Sequence, residues 1–101
     1  MTAYAVMVRE RTTDPAELDL YRQKAPAARE GREMTPLAFY GAFEVLEGPA
    51  MEGAVILSFP SMAAAREWYM SPAYQAAVSH RFKGAEFRVF LIEGINAVPA
   101  A

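Results

Sequence analysis

Hydrophobic positions along the chain alternate, shift to helical spacing, and alternate again. From Ala3 to Arg11 the period is two: Tyr4, Val6 and Val8 share one face, and Ala5, Met7 and Arg9 the other. Both faces are apolar at the centre, as in a strand covered on two sides. Asp14-Pro15-Ala16-Glu17 then predicts a helix start, in which Asp14 accepts the Glu17 N–H, Pro15 takes the first helical position and Glu17 closes a capping box. Leu18, Tyr21, Ala25 and Ala28 recur on its buried face. Pro26 predicts a kink or restart near Lys24, and Gly31 a left-handed stop.

Alternation returns over Met34 to Glu47, with Phe39, Gly41, Phe43 and Val45 on one face and Ala38, Tyr40, Ala42 and Leu46 on the other. Gly41 inside this second strand predicts a bulge or a close approach. Gly48 to Gly53 reads as a turn, and Ala54 to Phe59 as a third, wholly apolar strand. Pro60 stops it and Ser61 caps a helix with Ala65, Trp68 and Tyr69 on its inner side. Ser71-Pro72 repeats the cap-plus-proline signal and opens a second segment carrying Tyr74, Ala77, Val78 and Arg81, which Lys83-Gly84 ends. Glu86 to Glu93 is the fourth strand, with Phe87, Val89 and Leu91 facing one way and Phe90 and Ile92 the other. The order predicts an α+β, ferredoxin-like βαββαβ fold with a four-stranded antiparallel sheet. Residues 1–101 form one domain, with a short tail over 95–101.

Two helices cover one sheet face, yet the other face is also apolar: Met7, Phe39 or Tyr40, a residue of the third strand, and Phe90 or Ile92. A monomer in water rarely exposes more than about 300–600 Å² of contiguous apolar surface. The same face of a second copy covers such a patch, so a homodimer pairing sheet to sheet, a dimeric α+β barrel, is expected. Arg9 is assigned to that interface, pairing there with an acidic residue.

Composition adjusts this picture. Apolar residues make up 53% of the chain and charged residues 22%, against disorder and in favour of one real core. The net charge is −2 with no basic cluster, which argues against nucleic-acid binding. No run approaches the ~20 apolar residues of a membrane span, and no signal peptide is expected at the N-terminus. The chain has no cysteine, which excludes thiolate metal sites and fits a cytoplasmic protein. One histidine and no clustered carboxylates leave no metal constellation, and no cofactor motif is present.

Leu46-Glu47-Gly48, Phe59-Pro60-Ser61, Trp68-Tyr69, Ser71-Pro72-Ala73-Tyr74 and Arg81 together resemble the small bacterial proteins catalogued as domain of unknown function 1330, within the dimeric α+β barrel superfamily. The resemblance spans Ala3 to Gly94 and implies a ferredoxin-like subunit and a dimer. It implies no reaction, because that family is uncharacterised, and fold alone does not choose one.

Candidate chemistry rests on few residues. Tyr21, Trp68, Tyr69 and Tyr74 either wall an apolar pocket between sheet and helices or pack as core with satisfied polar tips, the stronger reading for Trp68. His80 is a general base, a haem ligand or, first of all, a surface residue without a nearby carboxylate. Arg81 points inward and requires a carboxylate, for which Glu47 and Glu93 are candidates. That pair either holds an anionic substrate group, with Glu47 as acid or base, or ties a helix end to the sheet. No catalytic residue is assigned. The function expected is binding or transformation, without a metal, of a small organic acid or carbonyl compound. A non-catalytic homodimeric binding or scaffolding module is the alternative.

Overall fold

β1 (Ala3–Thr12) pairs antiparallel with both β3 (Gly53–Phe59) and β4 (Ala85–Glu93), and β2 (Thr35–Phe39) pairs with the far edge of β3. The strand order is β2-β3-β1-β4, the ferredoxin-like arrangement that the alternation predicts. This is a computed structural model, and it describes residues 1–95. Of the expected tail 95–101, everything after Ile95 lies outside the described residues.

Three helices cover one face. α1 (Pro15–Lys24) starts at Asp14, α2 (Met62–Met70) at Ser61, and α3 (Pro72–Gly84) at Ser71. Pro26 forces the expected restart: α1 ends at Lys24 and a 3₁₀ segment runs over Ala25–Arg29. The cap of α1 differs from expectation. Asp14 accepts from the Ala16 N–H at 3.1 Å, and Glu17, instead of closing a capping box, reaches across to α3. Beneath the helices Ala5, Met7, Val55, Leu57 and Phe59 form the buried sheet face, packed against Ala65, Trp68, Tyr74 and Val78.

The second strand is shorter than its alternation suggests. It ends at Phe39, because Tyr40 takes φ 52°, a left-handed conformation uncommon for a side chain of its size. The Tyr40 N–H still donates to the Ala54 carbonyl at 2.9 Å, but the regular pairing with β3 ends at Phe39 and Val55. The ring fits because Gly53 is bare: a Cβ there would lie 2.7 Å from Tyr40 Cδ1. The irregularity expected at Gly41 sits instead at Leu37, between the paired Pro36 and Ala38. Residues 41–50 form an exposed arm with no regular element.

The two faces of the sheet also sort differently from expectation. Met7 lies under the helices, and Phe39 and Tyr40 turn to that same side. The open face is built from Tyr4, Val6, Val8, Ile56, Phe90 and Ile92, with Val6 in register between Ile56 and Phe90. Arg9 shares the Met7 face rather than the open one. It pairs within the chain with Glu52 at 3.1 Å, and its guanidinium sits 4.9 Å from the Tyr40 ring centre.

Candidate functional site

A cavity of ≈ 370 Å³ lies between α1, the 3₁₀ segment and the β2–β3 side of the sheet. Its floor is Met7, Val55 and Leu57, successive inward positions of two paired strands. Trp68 and Tyr74 close one end, both buried, with ring centres 4.3 Å apart. α1 contributes Leu18, Tyr21 and Arg22, and the 3₁₀ segment Ala25, Pro26 and Arg29. Pro26 thus gains a role: by ending the α-helical hydrogen bonding it sets the course of the wall. Phe39 and Tyr40 form the side nearest the sheet edge.

The polar groups gather around tyrosine. Tyr21 and Tyr74 hydroxyls share a hydrogen bond of 2.8 Å, with rings edge to face at 85°. One hydroxyl donates to the other, so one O–H of the pair remains to donate to a ligand. Burial pushes the Tyr74 phenol well above its usual value, and the neighbouring Tyr21 hydroxyl pushes the same way. Burial also raises Tyr21, against the Tyr74 hydrogen bond and the Arg81 charge, and raises Tyr40 against the charges of Arg9, Arg22 and Arg81. All three phenols therefore stay protonated at neutral pH and serve as hydrogen-bond donors, not bases. No Asp, Glu or His lines the cavity among the described residues.

Arg81 lies behind this group. It is only 3% exposed, and its guanidinium carbon is 6.0 Å from the Tyr21 ring centre, 5.2 Å from Phe82 and 4.9 Å from Phe87. Its Nε has no hydrogen-bond partner, and no carboxylate pairs with it among the described residues. The expected partners are elsewhere. Glu47 rides on the exposed arm, where it faces Val8, Arg88 and Phe90 across a groove of ≈ 530 Å³ on the open sheet face. Glu93 ends β4, while Arg81 packs near that strand's start at Phe87.

Of the other expected site residues, Tyr21, Trp68 and Tyr74 meet at the cavity. Tyr69 does not line it and stacks behind, 5.3 Å from Tyr74 between ring centres. His80, expected to lack a carboxylate, has one: its Nδ1 donates to Glu17 Oε2 at 2.6 Å across the α1–α3 contact, away from the cavity. The 63-residue separation hid that partner. Sequence reasoning passed over Tyr40, Arg22 and Arg29. For Tyr40 the available signal was its place before Gly41 and the bare Gly53 across the turn; for the arginines there was none. Among the described residues no three His, Asp or Glu side chains gather as a metal site.

Known proteins supply the remaining context. The family described as Domain of unknown function (DUF1330) matches residues 2–95. A solved protein of unknown function from Rhodopseudomonas palustris superimposes with a TM-score of 0.70 at 22% identity, covering 94% of this chain and 83% of that one. A protein from Bacteroides fragilis, described as dimeric with a ferredoxin-like fold, gives 0.61 at 10% identity, covering 92% and 96%. SnoaB, a cofactor-independent oxygenase from Streptomyces nogalater, gives 0.59 at 12% identity, covering 97% of each chain. Likenesses at these identities show the fold alone. No curated protein matches the chain.

Proposed function

The chain belongs to the family described as Domain of unknown function (DUF1330), and from that premise we propose a homodimer whose subunits each bind a small organic acid or carbonyl compound, without a metal, in the cavity under α1. The observation that carries this reading is an apolar cavity with a hydrogen-bonded tyrosine pair, Tyr21 and Tyr74, on its lining. At ≈ 370 Å³ it falls at the small end of the ~300–1,000 Å³ typical of small-molecule sites. The oxygenase activity of SnoaB belongs to SnoaB; it supports only the idea that this fold hosts chemistry without a bound cofactor.

The tyrosines favour holding over transforming. Phenols kept protonated, with no carboxylate or imidazole on the lining among the described residues, orient a carbonyl oxygen but supply no base there to withdraw a proton. A non-catalytic binding module is therefore the stronger form of the proposal. The dimer is supported by the apolar open face, by the exposed Phe43, Val45 and Leu46 of the arm, and by neighbours described as dimeric.

Trp68 is the only tryptophan and lines the cavity, so its fluorescence reports occupancy directly. Titration with short aromatic and aliphatic acids, aldehydes and ketones is expected to change Trp68 emission and raise the melting temperature together, since binding to the folded state stabilises it. Neither signal moving with any of these compounds rejects the reading.

A further inference from the structure

We propose that the cavity selects a carboxylate anion over a neutral carbonyl compound; this deepens the small-molecule reading above and rests on it. The chain carries twelve acidic and ten basic residues, yet among the described residues the charged ones on the cavity lining are Arg22 and Arg29. The cavity therefore has the opposite sign to the molecule. Arg29 has no ion pair among the described residues, and Arg22 meets only Asp19 at 2.8 Å, in an exposed contact that water screens.

Arg81 adds a third positive charge behind the lining. Arg81 is only 3% exposed as a residue, and a guanidinium with a buried, unpartnered Nε and no carboxylate beside it among the described residues is unfavourable unless other groups offset it. Three aromatic faces do so in part. A negative charge in the adjoining cavity offsets the rest. At the Tyr40 phenol, which burial holds above its usual value, the charges of Arg9, Arg22 and Arg81 act in the opposite direction. The Tyr21–Tyr74 pair presents its spare O–H to either kind of ligand, but an anion gains more from the arginines than a neutral carbonyl does. The apolar tail then lies along Met7, Leu57 and Trp68.

The test compares matched pairs by calorimetry at pH 7: phenylacetate against phenylacetamide, and hexanoate against hexanamide. Each acid is expected to bind at least about tenfold more tightly than its amide, a difference of ~1.4 kcal/mol, with affinity falling as salt rises. The exposed pair R22Q/R29Q is expected to erase most of that preference by weakening the acids far more than the amides, while the chain still melts as a folded protein. R81Q is expected to erase the remainder, and the surface double variant decides the matter should R81Q not fold. Amides binding as tightly as acids, or a preference untouched by R22Q/R29Q, overturns the inference and leaves the cavity reading standing. If neither acids nor amides bind, the cavity reading falls with it.

Discussion

At Gly84 the lack of a side chain decides how closely α1 approaches α3. A Cβ there would lie 2.8 Å from the Leu18 backbone nitrogen and 3.1 Å from the Asp14 carbonyl, and backbone atoms cannot step aside. The Thr13 and Asp14 N–H groups also donate to the Gly84 carbonyl at 2.8 and 3.0 Å. Gly84→Ala is expected to lower stability by ~1–3 kcal/mol in urea unfolding, the usual cost of overpacking. The sequence reveals Gly84 as a helix end, but not this contact, which depends on what lies opposite. The buried phenols make a second residue-level prediction. Folding raises the proton affinity of Tyr74, Tyr21 and Tyr40, so the unfolded chain, ionising near 10.0, loses these protons first. Stability is therefore retained below pH ~10 and lost as pH rises beyond it. Tyr74→Phe is expected to flatten that alkaline decline, as read from unfolding midpoints between pH 8 and 11.

At the scale of elements, Ser71 is the joint between α2 and α3. Its buried hydroxyl accepts from the Tyr74 N–H at 3.2 Å and donates to the Trp68 carbonyl at 2.8 Å, so it finishes one helix and starts the next. Ser71→Ala is expected to cost ~0.5–2 kcal/mol, and more than Ser61→Ala, whose single bond to the Ala64 N–H is less buried. Circular-dichroism melts of the two variants make the comparison. Both caps are legible in the sequence because a cap is local: serine, proline and the first helical turn lie within four residues. The end of β2 is not legible. Ala38 to Leu46 alternates without interruption, but the pairing with β3 ends at Phe39, where Tyr40 turns left-handed, a backbone state that alternation does not reveal.

At the scale of the whole molecule, the open sheet face carries Phe90 and Ile92, about half exposed, beside Val6 and Ile56. The arm leaves Leu46 84% exposed. In sedimentation at micromolar concentration the protein is expected to run at twice 11.1 kDa, and Phe90→Asp, which sets an unpaired charge in that face, as a folded single chain. A wild-type chain running at 11.1 kDa rejects the dimer. The same scale explains which cavity-lining residues helical spacing reached. Tyr21, Trp68 and Tyr74 were legible because each lies on the inner side of an amphipathic helix, and inner sides of helices covering one sheet must converge. The sequence by itself determined which residues cap the helices and the order of the elements, and with these the ferredoxin-like topology, because they are set by periods of two and 3.6 and by local hydrogen bonds. Tertiary structure alone decided the partners: Glu17 for His80, Glu52 for Arg9, aromatic rings and no carboxylate for Arg81. Charge pairing depends on distance in space across dozens of residues, and periodicity along the chain carries no record of it.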